Sequence, residues 1–450
     1  MIKKEPAYAL RKSRAKTQFE AGEGRAGTMK NRFKPNTPFP QVVIQFTFFR
    51  RFCQPSALPL FTKKGKKFPG LFLPAPYATI LPQKEGIQMP TIADYIEEHG
   101  GESFFETPFN EVDNYLICKL VNPDYTGILG PESEEVPIGE AMAAYEAVME
   151  GSGRTMGRLA SPVMLPILLK LPETGRYRAL RLSRYVRRWL PDRTEQFSAI
   201  TVTLPTGRRY VAFRGTDDTL LAWKENFLMS SRAAVAAQED AAAYLAGLGA
   251  GETPLIVGGH SKGGNLAVYA AAMCPEAMQE RITDVYNNDG PGFQPEFFEQ
   301  PGYRRIRSRI HTLLPQYTIV GTLLTREKWA SVVKAAQPGF AAHDGFTWEV
   351  RGTSFARCPV LSRSSQAFEE TMDNVLGTMD MAQREDFVNE LFDALTATGA
   401  VTVTDLTEHR LRQALTIVSS FRHGTGTKKF VFQVMEELLR AYASKRLGWD

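Results

Sequence analysis

The stretch Leu255-Ile-Val-Gly-Gly-His-Ser-Lys-Gly-Gly-Asn265 contains the motif Gly-x-Ser-x-Gly at Gly259, Ser261 and Gly263. A short apolar segment precedes the motif, and a helical, alanine-rich segment follows it over Lys262–Met273. In this strand–turn–helix context the motif exposes a nucleophilic serine at the end of a sheet. Glycines two residues before and after the serine remove side chains that would collide with neighbouring backbone. The stretch therefore predicts that Ser261 is a nucleophile, and a purely structural glycine-rich turn is the alternative.

Segments on both sides of the motif alternate between strand-like and helical patterns. Ile200–Leu204 and Arg209–Phe213 flank a Pro-Thr-Gly turn and predict a hairpin. Leu255–Gly259 and Ile282–Asn287 are continuously apolar or nearly so, which is typical of strands covered on both faces. Helices are predicted at Thr91–His99, Asn110–Leu120, Ile138–Glu150, Ser231–Leu248 and Lys262–Met273, with a mostly helical tail over Gln366–Leu447. The alternation predicts an α/β fold with a mostly parallel sheet flanked by helices.

A serine nucleophile requires a general base, an acid that orients the base, and an oxyanion hole. With this motif, the acid and then the histidine follow the serine along the chain. Four histidines follow Ser261, of which His311 lies in an apolar, strand-like segment. His409 and His423 lie in the tail among arginine and glutamate residues, as expected of a solvated surface. His343 lies in a loop between a helix and a strand, and we predict that it is the base.

We predict that Asp289 is the acid, because it closes the strand that follows the nucleophile helix. Sites in parallel sheets form at this end of the strands. A turn-forming role for Asp289 is an equal alternative, since Gly-Pro-Gly follows it. Asp344 is a poorer candidate because it adjoins the predicted base.

We predict that the oxyanion hole consists of the backbone amides of Lys262 and Thr216. Lys262 follows the nucleophile, and Thr216 lies in a loop that follows a strand, where Gly215 would allow a close approach of the backbone. The Lys262 side chain is expected to be solvated on the first helical turn. The His260 side chain is expected to point away from the nucleophile turn.

The positive charge of the chain is concentrated in residues 1–88, which hold 17 Lys/Arg and 4 Asp/Glu. The remaining 362 residues hold 37 Lys/Arg and 45 Asp/Glu, so no nucleic-acid binding is expected of this body. Because residues 1–88 contain ten prolines and no sustained period, we predict a basic, proline-rich, disordered extension. The alternative is a basic arm that binds nucleic acid or an anionic membrane. Residues 89–450 are predicted to form one domain, with a helical tail from about residue 366.

The remaining sequence signals concern the compartment. The four cysteines are scattered and fit no zinc motif. No apolar stretch is long enough for a transmembrane segment, and the N-terminus lacks the apolar core of a signal peptide. We therefore predict a cytoplasmic protein that requires no metal or organic cofactor.

The combination of Phe213-Arg-Gly-Thr-Asp217 with Gly259–Leu266 is similar to the class 3 (fungal-type) lipases. The chain more closely resembles the bacterial, lipase-like Mbeg-like hydrolase family. Further matching stretches are Phe109–Asn114, Gln196–Ala199, Trp223–Phe227, Asp289–Phe293, Thr318–Gly321 and His343-Asp344. The resemblance covers about residues 89–450 and implies an α/β-hydrolase fold. In class 3 lipases the acid would fall near Pro315–Thr318, where this chain has no carboxylate, which favours Asp289.

From the residues and the resemblance we expect a serine hydrolase of the esterase or lipase type. Ser261 would attack the carbonyl of a small-molecule acyl ester or lipid, and His343 would accept and return the proton. Asp289 would orient His343, while the Thr216 and Lys262 amides hold the oxyanion. One alternative is a thioesterase or peptidase with the same residues. The other is a catalytically silent protein of this fold that binds a lipid or a protein partner.

Overall fold

A computed structural model describes residues 89–152, 160–249 and 251–408. The helices in these ranges are α1 Ile92–His99, α2 Glu111–Lys119, α3 Ile138–Ser152, α4 Met164–Lys170, α5 Leu220–Leu228, α6 Ala236–Ala246, α7 Lys262–Met273, α8 Glu276–Arg281, α9 Pro301–Ile306, α10 Arg363–Leu376, α11 Met381–Thr396 and α12 Val403–Glu408. The strands are β1 Val136–Pro137, β2 Arg181–Leu190, β3 Glu195–Thr203, β4 Arg209–Phe213, β5 Leu255–His260, β6 Ile282–Asn288, β7 Ile310–Pro315, β8 Ser331–Val333, β9 Val350–Arg351, β10 Ser354–Phe355 and β11 Arg357–Cys358.

Nine of these strands form one mixed sheet in the order β1-β2-β3-β4-β5-β6-β7-β8-β11. Strands β4 to β8 run parallel to one another, whereas β1 to β4 pair antiparallel and β11 pairs antiparallel with β8. Strands β9 and β10 form a separate short hairpin. The predicted α/β class and the β3–β4 hairpin are thus confirmed, whereas the predicted mostly parallel sheet is a mixed sheet that is parallel only in its central strands, β4 to β8.

Helices cover both faces of the central strands. Helices α6 and α7 pack on one face with α9 against α7, and α2 packs on the other face against β4 and β5. In β5, Ile256 belongs to the core beside α2, while Leu255 and Val257 belong to the core beside α7. Because successive side chains of a strand point to opposite faces, a strand buried on both faces contains an uninterrupted apolar run.

A third apolar core joins α5 to the C-terminal helices. Phe387, Leu391 and Leu395 of α11 pack with Leu220 and Leu228 of α5. The predicted helical tail is therefore helical over most of residues 363–408. Its remainder, and the predicted extension at residues 1–88, lie outside the described residues, so the predicted domain boundary stays a prediction.

The ten-residue strand β2 is absent from the predictions. Its pairing with β3 shifts register between Ser183 and Val186, and Arg184 adopts a positive φ of 56°. This irregularity interrupts the two-residue alternation that reveals a strand in sequence. Four exposed or half-buried arginines further weaken the pattern.

None of the helices in the described ranges combines the length and apolar character needed to cross a membrane. Cys118 and Cys274 are buried and Cys358 is partly buried, and all three are free thiols.

Candidate active site

The predicted nucleophile lies on a strained turn between β5 and α7, which we call the elbow (residues 259–263). Ser261 has φ 59° and ψ −133°, a backbone conformation that is costly for a residue other than glycine. A Cβ atom added to Gly259 would lie 2.3 Å from the Gly263 carbonyl carbon, and one added to Gly263 would lie 2.1 Å from the Phe213 carbonyl oxygen. Both glycines are therefore required by close backbone approach, as the motif predicted.

The elbow is fixed to the neighbouring strand at the carboxyl edge of the sheet. The Ser261 amide donates to the Asn288 carbonyl oxygen over 2.9 Å. The Ser261 side chain is partly exposed and lines a cavity, and its hydroxyl makes no hydrogen bond within the described part of the chain. The hydroxyl is thus available to a ligand in the cavity.

Asp289 and His343, which are 54 residues apart, form a hydrogen-bonded pair beside the elbow. The His343 Nδ1 atom lies 2.6 Å from Asp289 Oδ2. Asp289 follows β6 directly, and its amide donates to the Leu313 carbonyl of β7 over 2.8 Å. His343 ends a short 3-10 turn that follows β8. The geometry therefore brings together the two residues that were predicted as acid and base.

The Asp289 carboxyl group is completely buried, and both of its oxygens accept hydrogen bonds. Oδ1 accepts from the Thr318 hydroxyl over 2.5 Å, and that hydroxyl oxygen accepts from the Gly321 amide. Burial raises the pKa of Asp289, and the hydrogen bonds from His343 and Thr318 oppose this shift. Thr318 was not predicted as a site residue, although it lies in one of the stretches that carry the family resemblance.

The Asp289 contact determines the tautomer of His343. Because a carboxylate only accepts hydrogen bonds, Nδ1 carries the proton and Nε2 keeps a lone pair. The His343 side chain is 14% exposed and lines the same cavity as Ser261. The Phe340 ring lies 5.6 Å from the imidazole, between centroids. The site thus contains an imidazole of fixed tautomer that reaches the cavity.

His260 does not point away from the site as we expected. Its ring packs against that of His343, with 4.4 Å between centroids, and its Nε2 donates to the His343 carbonyl over 2.6 Å. Burial, followed by the charge of Lys119, lowers its pKa well below the ordinary value. His260 and Ser261 are consecutive residues, whose side chains are expected to point to opposite sides. The loop that carries His343 nevertheless folds back over His260, so that the two histidines are in contact. Sequence alone gives no signal of this contact.

The loop that contains Thr216 lies against the elbow. A Cβ atom on Gly215 would lie 2.7 Å from the His260 carbonyl oxygen and 3.3 Å from Ser261 Cβ. Within the described ranges, the backbone amides of Thr216 and Lys262 make no hydrogen bond to a protein acceptor. The Thr216 hydroxyl accepts from the Asn226 side chain over 2.5 Å, so it serves to hold the loop.

The prediction of a solvated Lys262 side chain was wrong. Lys262 is buried, and its Nζ lies 2.9 Å from Glu225 Oε2, 2.5 Å from the Gln196 carbonyl and 2.8 Å from Gln196 Oε1. The first helical turn faces β3 and α5 here, because the elbow inserts the helix start into the protein. A buried ammonium is tolerated where a carboxylate and hydrogen bonds compensate it.

One helix holds both halves of the predicted oxyanion hole. In α5, Glu225 binds Lys262 on the nucleophile helix, and the adjacent Asn226 binds Thr216 in the strand-end loop. The spacing between the two amides therefore depends on α5. Both residues lie in the Trp223–Phe227 stretch that carries the resemblance, but their partners could not be read from it.

The side chains of Ser261 and His343 line a cavity of about 380 Å³. One wall is formed mainly by apolar side chains from α5, α10, α11 and residues 319–324; these include Trp223, Phe227, Leu323, Met372, Leu376 and Phe387. The C-terminal helices thus contribute directly to the candidate site. A cavity of this size and lining has room for an apolar group of several carbon atoms.

His311 lies on β7 as predicted and contacts Asp284 over 3.0 Å, outside the cavity. His409 and His423 lie outside the described residues. Within the described ranges, no group of three or more His, Cys, Asp or Glu side chains could hold a metal ion.

Comparison with known proteins gives one match. Residues 171–393, which include the elbow, Asp289 and His343, match the model of the Mbeg1-like family. Searches of the curated proteins and of the solved structures found no match. Residues 171–393 of this chain are therefore similar to the Mbeg1-like family, as the sequence motifs predicted.

Proposed function

We propose that this protein is a serine hydrolase that cleaves acyl esters, with Ser261 as nucleophile, His343 as base and Asp289 as the orienting acid. The observation that carries the proposal is the 2.6 Å contact between His343 and buried Asp289 beside the strained turn of Ser261. A structural glycine-rich turn would not require a buried acid–base pair beside it. A strained backbone at a cavity is typical of functional sites.

The proposed reaction has two steps. The Ser261 Oγ atom attacks the ester carbonyl while His343 Nε2 accepts its proton, and the alcohol leaves with that proton as the acyl-serine bond forms. Water then attacks the acyl-enzyme, again with His343 as base, which releases the acid and restores the serine. Asp289 keeps the proton on Nδ1 and stabilises the imidazolium. The amides of Lys262 and Thr216 would hold the oxyanion, since neither is engaged elsewhere.

We further propose that the fold is of the α/β-hydrolase type and lipase-like. The nucleophile follows β5, the acid follows the next parallel strand β6, and the histidine follows β8. This is the chain order that the fold uses. The apolar wall of the cavity supports an acyl chain as the group next to the scissile carbonyl.

The experiment is labelling of the full-length protein with a fluorophosphonate probe, together with hydrolysis of p-nitrophenyl esters of increasing chain length. We expect labelling and hydrolysis by the natural chain, and neither by Ser261→Ala. Ser230→Ala is the matched control, because Ser230 lines the same cavity but donates to the Phe227 carbonyl. A Ser261→Ala protein that keeps its melting temperature and its hydrolytic activity would refute the assignment.

A catalytically silent binding protein is the second candidate. It is favoured by one observation: no hydrogen bond joins the Ser261 hydroxyl to His343 within the described residues. Such contacts often form only when substrate is bound. Absence of labelling in a folded natural chain that still binds a fatty acid would favour this candidate.

A further inference from the structure

The cavity is also lined by polar side chains, among them the carboxylates Asp217, Asp218 and Asp344, and a second wall contains two cations. This second wall is formed by Lys119 and Asn122 at the end of α2, by Ser161 before α4, and by Arg214 after β4. These residues adjoin the core beside α2, whereas the apolar wall belongs to the core of α5, α10 and α11. The cavity is therefore lined differently on its two sides.

Lys119 is 8% exposed, and its ammonium makes no hydrogen bond or ion pair within the described residues. Its ammonium lies 4.7 Å from the centroid of the Tyr115 ring, a cation–π contact that offsets only part of the lost hydration. Burial lowers the pKa of this ammonium. Lysine is almost never buried without a partner, so the cavity side of Lys119 lacks a compensating group.

Within the described ranges, the other two buried cations are each paired with a carboxylate, and the half-buried Arg384 is hydrogen-bonded. Lys262 contacts Glu225, and Arg176 contacts Asp113 over 2.5 Å. Arg384, which lines the apolar wall, donates to the carbonyls of Ser230 and Leu376. Lys119 departs from this pattern.

Arg214 is the second cation without a partner. Its amide donates to the Ser198 carbonyl, but its guanidinium makes no hydrogen bond within the described part of the chain. The side chain is half-buried and acts electrostatically on Tyr145 and Tyr185. A guanidinium in this state presents its donors to the cavity rather than to a carboxylate.

The two cations lie close to the proposed reacting groups. Burial, followed by the charge of Lys119, lowers the pKa of His260, whose ring packs at a tilt against that of His343. The charge of Asp344 partly opposes the lowering of the Lys119 pKa. The two groups are not within ion-pair distance, and the Asp344 carboxylate accepts a hydrogen bond from the Phe346 amide. A negative group bound here would lie next to the ester.

We propose that Lys119 and Arg214 bind an anionic group of the substrate, a phosphate or a carboxylate, on the side of the ester opposite the acyl chain. The substrate class is then an anionic acyl ester rather than a neutral one. This inference rests on the proposed hydrolase function for the ester, but the anion site can be tested without hydrolysis.

The kinetic test compares three esters with one acyl chain: a monoacylglycerol, the corresponding acylglycerol phosphate and the corresponding acyl glycerate. We expect kcat/KM of the full-length protein to be at least about tenfold higher for one of the anionic esters, as charge-assisted hydrogen bonds supply. Lys119→Met and Arg214→Gln should each remove most of this preference. Lys328→Met is the matched control, because Lys328 is exposed and does not line the cavity.

The binding test uses Ser261→Ala protein and calorimetric titration with octyl phosphate, octanoate and octanol. We expect at least one anion to bind about tenfold more tightly than octanol, and Lys119→Met in the same background to abolish the difference. Phosphate and carboxylate preferences are separated by the two anions. Far-UV circular dichroism and melting temperature establish that each variant is folded.

The outcomes separate the two proposals. Hydrolysis of the monoacylglycerol without preference for either anion, together with equal binding of octanol and the anions, overturns the anion site and leaves the hydrolase. Anion binding that depends on Lys119 in a protein that hydrolyses no ester and takes no probe supports the anion site and overturns the hydrolase.

Discussion

Replacement of Asp289 by asparagine tests the central contact of the proposed site. Asp289 accepts from His343 Nδ1 over 2.6 Å and from the Thr318 hydroxyl over 2.5 Å, and it is completely buried. Asparagine has nearly the same shape but only one acceptor oxygen. If that oxygen faces His343, the amide nitrogen faces Thr318; if the amide turns over, it donates to Nδ1 and forces the proton onto Nε2.

The expected loss follows from the charge. An imidazolium and a carboxylate whose centres are about 4 Å apart attract each other by about 4 kcal/mol at an effective dielectric constant of 20. Asparagine removes this stabilisation from the transition state, which corresponds to roughly 10³-fold in kcat. The analogous change in a serine protease costs about 10⁴-fold. Because burial already raises the pKa of Asp289, removal of the charge should change the free energy of unfolding by no more than about 1 kcal/mol.

The assay is hydrolysis of a p-nitrophenyl ester, with melting temperature as the measure of folding. The chain offers a matched control in Asp284→Asn, because Asp284 pairs with His311 over 3.0 Å outside the cavity. We expect the control to retain nearly full activity. Asp344→Asn serves as the second control, since Asp344 adjoins the base and was the other candidate acid.

Near-normal turnover by Asp289→Asn would refute the reasoning, provided that Ser261→Ala and His343→Ala are inactive. Asp289 would then be a turn residue, and the acid would have to be Asp344 or Asp217, or the site would work as a serine–histidine dyad.

Three further predictions concern stability. Lys262→Met should lower the free energy of unfolding by about 3–5 kcal/mol, because it leaves the Glu225 carboxylate buried without its partner; a loss below about 1 kcal/mol in chemical denaturation would contradict this. Burial, followed by the neighbouring Asp240 carboxyl, raises the pKa of Glu195 from 4.5 to about 7. As pH rises, Glu195 therefore loses its proton in the unfolded chain at a lower pH than in the folded protein. The folded state is then progressively destabilised between about pH 4.5 and pH 7. Glu195→Gln should therefore stabilise the protein more at pH 8 than at pH 5, by about 1–2 kcal/mol, and an equal effect at both pH values would refute the assignment. Deletion of residues 1–88 should leave melting temperature and hydrolysis nearly unchanged, and a large fall in melting temperature would show that this segment packs on the body.

Features that depend on local sterics and periodicity could be predicted from the amino-acid sequence. The elbow is one, because the approach of Gly259 to Gly263 arises within the strand–turn–helix unit itself, although the second close contact of Gly263, with Phe213 of β4, comes from the neighbouring strand. Helix α7 begins and ends where the pattern predicted it, and β5 and β6 agree with their apolar runs to within one residue. Strand β2 shows the limit of this reasoning, since a local register shift was enough to hide it.

Contacts between residues that are distant in sequence depend on the tertiary structure. The pairing of Asp289 with His343 depends on the order of β6, β7 and β8 in the sheet, and the sequence left Asp289 equally open to a turn role. The burial of Lys262 depends on Glu225, 37 residues away along the chain. The Lys119 ammonium is unpaired because no carboxylate of the described residues lies within ion-pair distance of it. Such contacts are set by long-range packing, for which periodicity and motif spacing contain no signal.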